Sequence, residues 1–156
     1  MTGRRFFFYG TLMDPSVRRA VLGRPVERSR LQRAVLPGFR RVFRRGATYP
    51  VLVADAGGRV DGVVASGLSP HDVARLVNYE GAGYRLSQCP VQLAGGQTTL
   101  ACVFLPETDA MASSVPWQFK DWRRRFRARF LRGIGQHRTA DTADRQALRA
   151  RAASAS

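Results

Sequence analysis

Lysine, histidine, cysteine and glutamate are all scarce in this chain, and each scarcity removes a class of function. Lys120 is the only lysine. Cys89 and Cys102 are the only cysteines, too few for a disulfide framework or a structural zinc site. His71 and His137 are the only histidines, so a Ser–His–Asp arrangement would have to use one of them. His71 falls in the first turn of a predicted helix and His137 in a basic stretch, neither a natural place for a catalytic base. There is no phosphate loop, no dinucleotide glycine pattern and no paired-histidine metal motif. No apolar run approaches the roughly 18 residues that cross a bilayer. The opening residues carry too short an apolar stretch for a secretory signal. A soluble, cytoplasmic protein without a transmembrane segment is expected.

What is present suits one globular domain. The chain has 156 residues, 44% hydrophobic and 24% charged, enough to bury a core without disulfides or metal. It is strongly basic, with a net charge of +15 and a pI near 11.6. That balance invites a nucleic-acid reading. The charge is unevenly spread, however. Residues 1–118 carry 15 arginines against 8 acids, whereas 119–156 carry 10 arginines and Lys120 against 3 acids. The main body is only moderately basic, and the near-absence of lysine is as consistent with a coding bias as with phosphate contacts.

Hydrophobic patterning predicts many short strands with two inserted helices. Phe6-Phe7-Phe8-Tyr9 reads as a buried strand stopped at Gly10. Asp14-Pro15 starts a helix that Gly23 ends. Ala34 to Gly38 reads as a strand entering a turn, and Phe39 to Phe43 as another strand with Arg40 and Arg44 outward. Tyr49 to Ala54 is a strand closed by Asp55-Ala-Gly-Gly, and Val60 to Leu68 another, with Gly62 and Gly67 at bulges or close approaches. Ser69, Pro70 and Asp72 begin a helix that buries Val73, Leu76 and Val77. Tyr84–Leu93 and Thr98–Leu105 form a hairpin around Ala94-Gly95-Gly96-Gln97. The order argues for an α+β domain around a small curved sheet or barrel. Beyond Pro106, Trp117, Phe119, Trp122, Phe126 and Phe130 recur at helical spacing among arginines, predicting an amphipathic helix of about four turns. The domain is expected to span 1–135, with 136–156 a flexible basic tail.

Of the three glutamates, Glu27 and Glu107 look like solvated surface charges. Glu80 stands between Tyr79 and the glycine-rich Gly81-Ala82-Gly83, directly after a helix. A carboxylate walled by apolar groups has its charged form disfavoured, which raises its pKa toward the range useful for moving protons both ways. A helix-end carboxylate paired with one of the many arginines fits the composition equally well. The other candidate is Tyr9-Gly10-Thr11-Leu12, where a strand turns into a helix and exposed backbone N–H groups could hold an anion. Taken alone, the tetrapeptide is weak evidence, and a tight strand-to-helix turn is the simpler reading.

Joined in order, these pieces resemble the gamma-glutamylcyclotransferase-like family, including its avirulence-induced-gene-like and gamma-glutamylamine cyclotransferase branches. The resemblance rests on Phe7-Phe8-Tyr9-Gly10-Thr11-Leu12-Met13, Leu22-Gly23, Leu36-Pro37-Gly38-Phe39-Arg40, Tyr49-Pro50, Val60-Asp61-Gly62 and Tyr79-Glu80-Gly81 with Tyr84-Arg85. It covers residues 6 to 105. It implies a small mixed β-barrel with flanking helices and a cavity at one end. It also implies that the Tyr9–Leu12 loop binds a gamma-glutamyl group, that Glu80 is the catalytic acid–base, and that Tyr49 and Tyr84 line the cavity. The implied reaction closes the substrate's α-amine onto its γ-amide carbonyl, releasing 5-oxoproline and an amine or amino acid, with no metal or organic cofactor. One departure stands out: the family often has Leu-Asp shortly before Tyr-Glu-Gly, where this chain has Val77-Asn78.

A different reading treats the chain as a non-catalytic binding protein on the same scaffold. Its basic aromatic C-terminal helix would then lie on nucleic acid, a membrane or another protein. Against it stands the simpler expectation that the aromatic stripe packs on the barrel and the arginines are solvated.

Overall fold

The computed structural model describes residues 3–134, and the first apolar run forms strand β1 (Arg4–Phe8). Successive strand side chains point to opposite faces. Phe6 and Phe8 therefore join Val17, Leu76 and Trp122 in one cluster, while Phe7 and Tyr9 join Leu36, Val60 and Val103 in another. Burial on both faces explains why this strand is continuously apolar rather than alternating.

Four further strands complete the barrel: β2 (Leu31–Arg44), β3 (Pro50–Leu68), β4 (Tyr84–Leu93) and β5 (Thr98–Pro106). Their order is β3–β1–β5–β4–β2, and β2 also pairs with β3, which closes the ring. β1 and β5 run parallel and the other neighbours antiparallel, so the five-stranded barrel is mixed. A short β6 (Ala112–Pro116) adds to β2 outside the closure. The expected α+β architecture, a mixed barrel with flanking helices, is what the chain forms.

The strands differ from expectation in their length. Pro37-Gly38 does not end a strand: β2 runs through it with Gly38 at φ 88°. Asp55-Ala-Gly-Gly does not end one either. Pairing jumps from Pro37↔Arg59 to Phe39↔Ala54, so residues 55–58 bulge out of a ladder that continues on both sides. Gly58 permits this, since a Cβ there would lie 2.2 Å from the Phe39 carbonyl oxygen. Arg44 is also not turned wholly outward, because its guanidinium reaches Tyr49.

The helices start where their caps predict. Asp14 accepts from the Ser16 and Val17 N–H groups to begin α1 (Pro15–Leu22), and Gly23 ends it at φ 78°. Ser69 and Asp72 form a reciprocal capping box on α2 (Pro70–Glu80). On α2, Leu76 is fully buried, but Val77 is 46% exposed; the inward face continues through Tyr79 and Glu80 instead. The C-terminal aromatic stripe forms α3 (Phe119–Arg125), breaks at Phe126, and is helical again over 127–134, rather than one unbroken helix. Trp117 and Trp122 are buried, and Phe119, Phe126 and Phe130 pack on the same cluster. The expected tail from 136 and His137 lie outside the described residues. Among the described residues, no helix is long and apolar enough to cross a membrane.

Candidate active site

The turn after β1 is held from three sides. Tyr9 is buried, and its hydroxyl donates to the Phe104 carbonyl on β5. Arg41, on β2, donates to the Tyr9 carbonyl at 2.8 Å and to the Asp61 carbonyl at 3.0 Å, with its guanidinium 5.1 Å from the Trp117 ring centre. Arg18, from α1, donates to the carbonyls of Leu12 at 3.0 Å and Met13 at 2.7 Å. Burial lowers the pKa of both arginines, against the opposing pull of Asp61 on Arg41 and of Asp14 on Arg18.

With its carbonyls so occupied, the turn lines a cavity through Gly10, Thr11 and Leu12. Residues Thr11–Met13 form one turn of 3₁₀ helix, in which Met13 N–H donates to Gly10 and Asp14 N–H to Thr11. The N–H groups of Thr11 and Leu12 precede the first of these bonds and have no partner within the turn. A Cβ on Gly10 would lie 3.0 Å from the Pro50 ring, so glycine here lets the turn sit against the start of β3. That contact explains why Tyr9-Gly10 and Tyr49-Pro50 belong together.

Glu80 arrives on the last residue of α2. Its carboxyl is partly buried, and among the described residues no hydrogen bond or ion pair reaches it. Burial raises its pKa from 4.5 to about 7. The surrounding phenols are raised as well: Tyr9 and Tyr79 well above 10, and Tyr84 to about 12. Burial is the larger cause in each case, and the Glu80 charge adds to it. Arg44 opposes the shift at Tyr84 and donates to the Tyr49 hydroxyl at 2.7 Å.

All seven expected site residues line one cavity of about 1250 Å³: Tyr9, Gly10, Thr11, Leu12, Tyr49, Glu80 and Tyr84. Four contributors were not expected. Tyr79 hydrogen-bonds Thr11 at 2.9 Å, Arg44 holds Tyr49, and Phe130 and Ile134 supply a wall from the C-terminal helix. Tyr79 carried a readable signal, lying three residues after Leu76 on the same helix face. His71 reaches the cavity from an exposed position, whereas the buried thiols Cys89 and Cys102 do not line it. Glu27 and Glu107 are exposed, as expected. No three His, Cys, Asp or Glu residues gather at a metal-binding distance among the described residues.

Glu80 and the turn after β1 therefore line one cavity of a closed, mixed five-stranded barrel. The chain belongs to the family described as gamma-glutamyl cyclotransferase, AIG2-like, whose model matches residues 6–124. It is 27% identical to AIG2-like protein A of Arabidopsis thaliana over 128 residues, 80% of this chain and 75% of that one. A solution structure of another Arabidopsis thaliana protein superposes with a TM-score of 0.63 at 25% identity, covering 88% of this chain and 92% of that one. A solved gamma-glutamyl cyclotransferase shares the fold, with a TM-score of 0.59 at 17% identity over 69% of this chain and 68% of that one. The function is of gamma-glutamyl cyclotransferase type.

Proposed function

We propose that this protein converts a small gamma-glutamyl compound into 5-oxoproline and a free amine or amino acid, with Glu80 as the general acid–base. The observation that carries this reading is the Glu80 carboxyl, unpartnered among the described residues and raised to about 7, in the same cavity as the Tyr9–Leu12 turn. A group with that pKa is ready near neutral pH both to accept and to return a proton.

The substrate's α-ammonium gives a proton to the Glu80 carboxylate. The freed nitrogen attacks the γ-carbonyl carbon, and negative charge gathers on the carbonyl oxygen. The bond to the departing nitrogen then breaks as Glu80 returns the proton to it. The ring nitrogen gives up one more proton by the same carboxylate, leaving the lactam N–H and an ammonium product. The amides of Thr11 and Leu12 are suited to hold the substrate's α-carboxylate or the developing oxyanion and to fix its folded conformer. Tyr49 and Tyr84 fill the cavity walls. This chemistry needs proton transfer and positioning, which these side chains supply.

The binding-protein reading is weakened by the packing, because the aromatic face it would use is turned onto the barrel. The test is 5-oxoproline release from a panel of gamma-glutamyl amino acids and amines by the wild type and Glu80→Gln. Release that falls by roughly 10²–10⁴ in a folded Glu80→Gln protein supports the assignment. Undiminished release would remove Glu80 from the mechanism, and no release by the wild type from any member would sink the reading.

A further inference from the structure

The chain has four tyrosines, and all four line the cavity. Two have their hydroxyls engaged within the fold: Tyr9 donates to the Phe104 carbonyl, and Tyr79 is paired with Thr11. The other two, Tyr49 and Tyr84, meet a cation instead. Arg44 closes β2 and Tyr49 precedes β3, and with Phe43 paired to Pro50 they are the next two residues facing each other. Backbone bonds fix this hairpin end. Arg44 N–H donates to the Tyr49 carbonyl at 3.0 Å, and Ala47 N–H to the Arg44 carbonyl at 3.1 Å. The facing side chains then meet, with Arg44 Nη1 donating to the Tyr49 hydroxyl at 2.7 Å. Burial and the Glu80 charge raise the Tyr84 phenol to about 12, while the same guanidinium pulls the other way. Arg44 therefore stands beside both phenols. No carboxylate pairs with it among the described residues.

A guanidinium has donors only, so a phenol that takes its hydrogen bond does so through oxygen and keeps its own proton to give. Among the described residues, neither Tyr49 nor Tyr84 has an acceptor for that proton. A positive charge behind a phenol also favours the orientation in which the hydroxyl hydrogen points away from it. We propose that Arg44 is a positioning residue for the reaction, holding Tyr49 and Tyr84 as paired hydroxyl donors for an anionic oxygen of the substrate. This rests on the cyclotransferase reading and adds a recognition element to it. Tyr84 lies in the field of the Glu80 charge, so an oxygen held there sits close to the acid–base group. A gamma-glutamyl compound brings two such oxygens near the nitrogen that Glu80 serves. One is the α-carboxylate, joined to the same carbon as that nitrogen. The other is the γ-carbonyl oxygen, which gains charge as the ring closes. Neutral phenols backed by a cation suit either, because they donate without carrying negative charge of their own.

The test is steady-state kinetics on the best substrate of the gamma-glutamyl panel. It compares the wild type, Arg44→Gln, Arg44→Lys, and a Tyr49→Phe/Tyr84→Phe protein with and without Arg44→Gln. Expected are a loss of roughly ten- to a hundredfold in kcat/KM in Arg44→Gln and a partial return in Arg44→Lys, which keeps the charge and a donor. In the protein lacking both phenol hydroxyls, Arg44→Gln should cost no more than about twofold further, because the groups it acts through are gone. A loss carried by KM places the α-carboxylate on the phenols, and one carried by kcat at constant KM places the γ-oxyanion there. Wild-type kcat and KM in Arg44→Gln would overturn the proposal, as would a loss equally large with and without the two hydroxyls. Full activity in the Tyr49→Phe/Tyr84→Phe protein would overturn it too, and that result does not depend on the folding of any Arg44 variant. All three outcomes leave the cyclotransferase reading standing. Wild-type release from no panel member would overturn that reading and this proposal together.

Discussion

The hydroxyls of Thr11 and Tyr79 lie 2.9 Å apart, joining the turn after β1 to the last helical turn of α2, one residue before Glu80. This bond couples the two halves of the site across 68 positions of sequence. Tyr79→Phe removes the hydroxyl while keeping the ring that packs on the core. One neutral hydrogen bond is worth about 1 kcal/mol. Kinetic assay should therefore find activity reduced by about fivefold, with the melting temperature lowered by only a few degrees. A loss as large as that of Glu80→Gln would mean that the phenol itself takes part in the chemistry.

Local chemistry makes much of this fold legible in the sequence. Asp14-Pro15, Gly23, Ser69-Pro70 and Asp72 announce helix ends because capping is a contest among neighbouring atoms. The 94–97 turn is equally local. The continuity of β2 and β3 was not legible, because Pro37-Gly38 and residues 55–58 carry turn composition. Only the opposing strand shows that the ladder resumes beyond them. The same limit applies at the site. Glu80 and the Tyr9–Leu12 turn stood out through the chain segments around them. The grip of Arg41 on Tyr9 and the Phe130–Ile134 wall depend on residues brought together by the closed barrel and the returning C-terminal helix.

The raised pKa of Glu80 has a cost in stability, and its sign is fixed by linkage. Between the ordinary value of 4.5 and the folded value of about 7, the folded state binds the proton more tightly than the unfolded chain. Stability from this group is therefore full at the acid end and falls as pH rises through that window, by at most about 3 kcal/mol. Glu80→Gln removes the titration. Denaturant unfolding should show the variant matching the wild type near about pH 4.5 and exceeding it near about pH 8. A variant less stable than wild type at both values would mean that the carboxylate is held by favourable contacts.

The same titration should appear in catalysis. If Glu80 is the base in the free enzyme, kcat/KM rises with pH along a limb whose midpoint lies near 7 and then levels until the substrate ammonium deprotonates. Glu80→Asp shortens the side chain and shifts its surroundings, so the limb should move along with the rate. A pH profile with no limb between about 5 and 8 would separate the measured chemistry from this carboxyl.

Gly62 sets a steric limit on the barrel. A Cβ there would lie 2.4 Å from the Phe8 carbonyl oxygen and 2.6 Å from the Phe7 ring, so both the strand backbone and a buried ring would have to move. Gly62→Ala should cost on the order of 3 kcal/mol or fail to yield folded protein. Gly57→Ala is the control, since nothing lies within 4 Å of a Cβ at that position. Equal melting temperatures for the two variants would contradict so close an approach of β1 and β3.

Asp14 ties the N-terminal turn to the C-terminal helix. Its fully buried carboxylate caps α1 through Oδ1, while Oδ2 accepts from Arg127 Nε at 2.6 Å and lies 3.9 Å from Arg123 Nε. Arg127 also donates to the Ser16 hydroxyl at 2.8 Å. Removing its head group in Arg127→Met strips the buried charge of its hydrogen-bonded cation, leaving the electrostatic pull of Arg18 and the distant, exposed Arg123. Breaking a buried pair in this way costs about 3 kcal/mol, less here because Arg127 is itself about a third exposed. The consequence should reach the cavity, because Phe130 and Ile134 follow Arg127 on the same helical segment. Amide exchange across 127–134 should accelerate in Arg127→Met, and KM should rise more than kcat falls. Asp14→Asn with Arg127→Met should recover part of the stability by removing the stranded charge. If Arg127→Met instead leaves both exchange and KM unchanged, the C-terminal segment is held by its aromatic face alone.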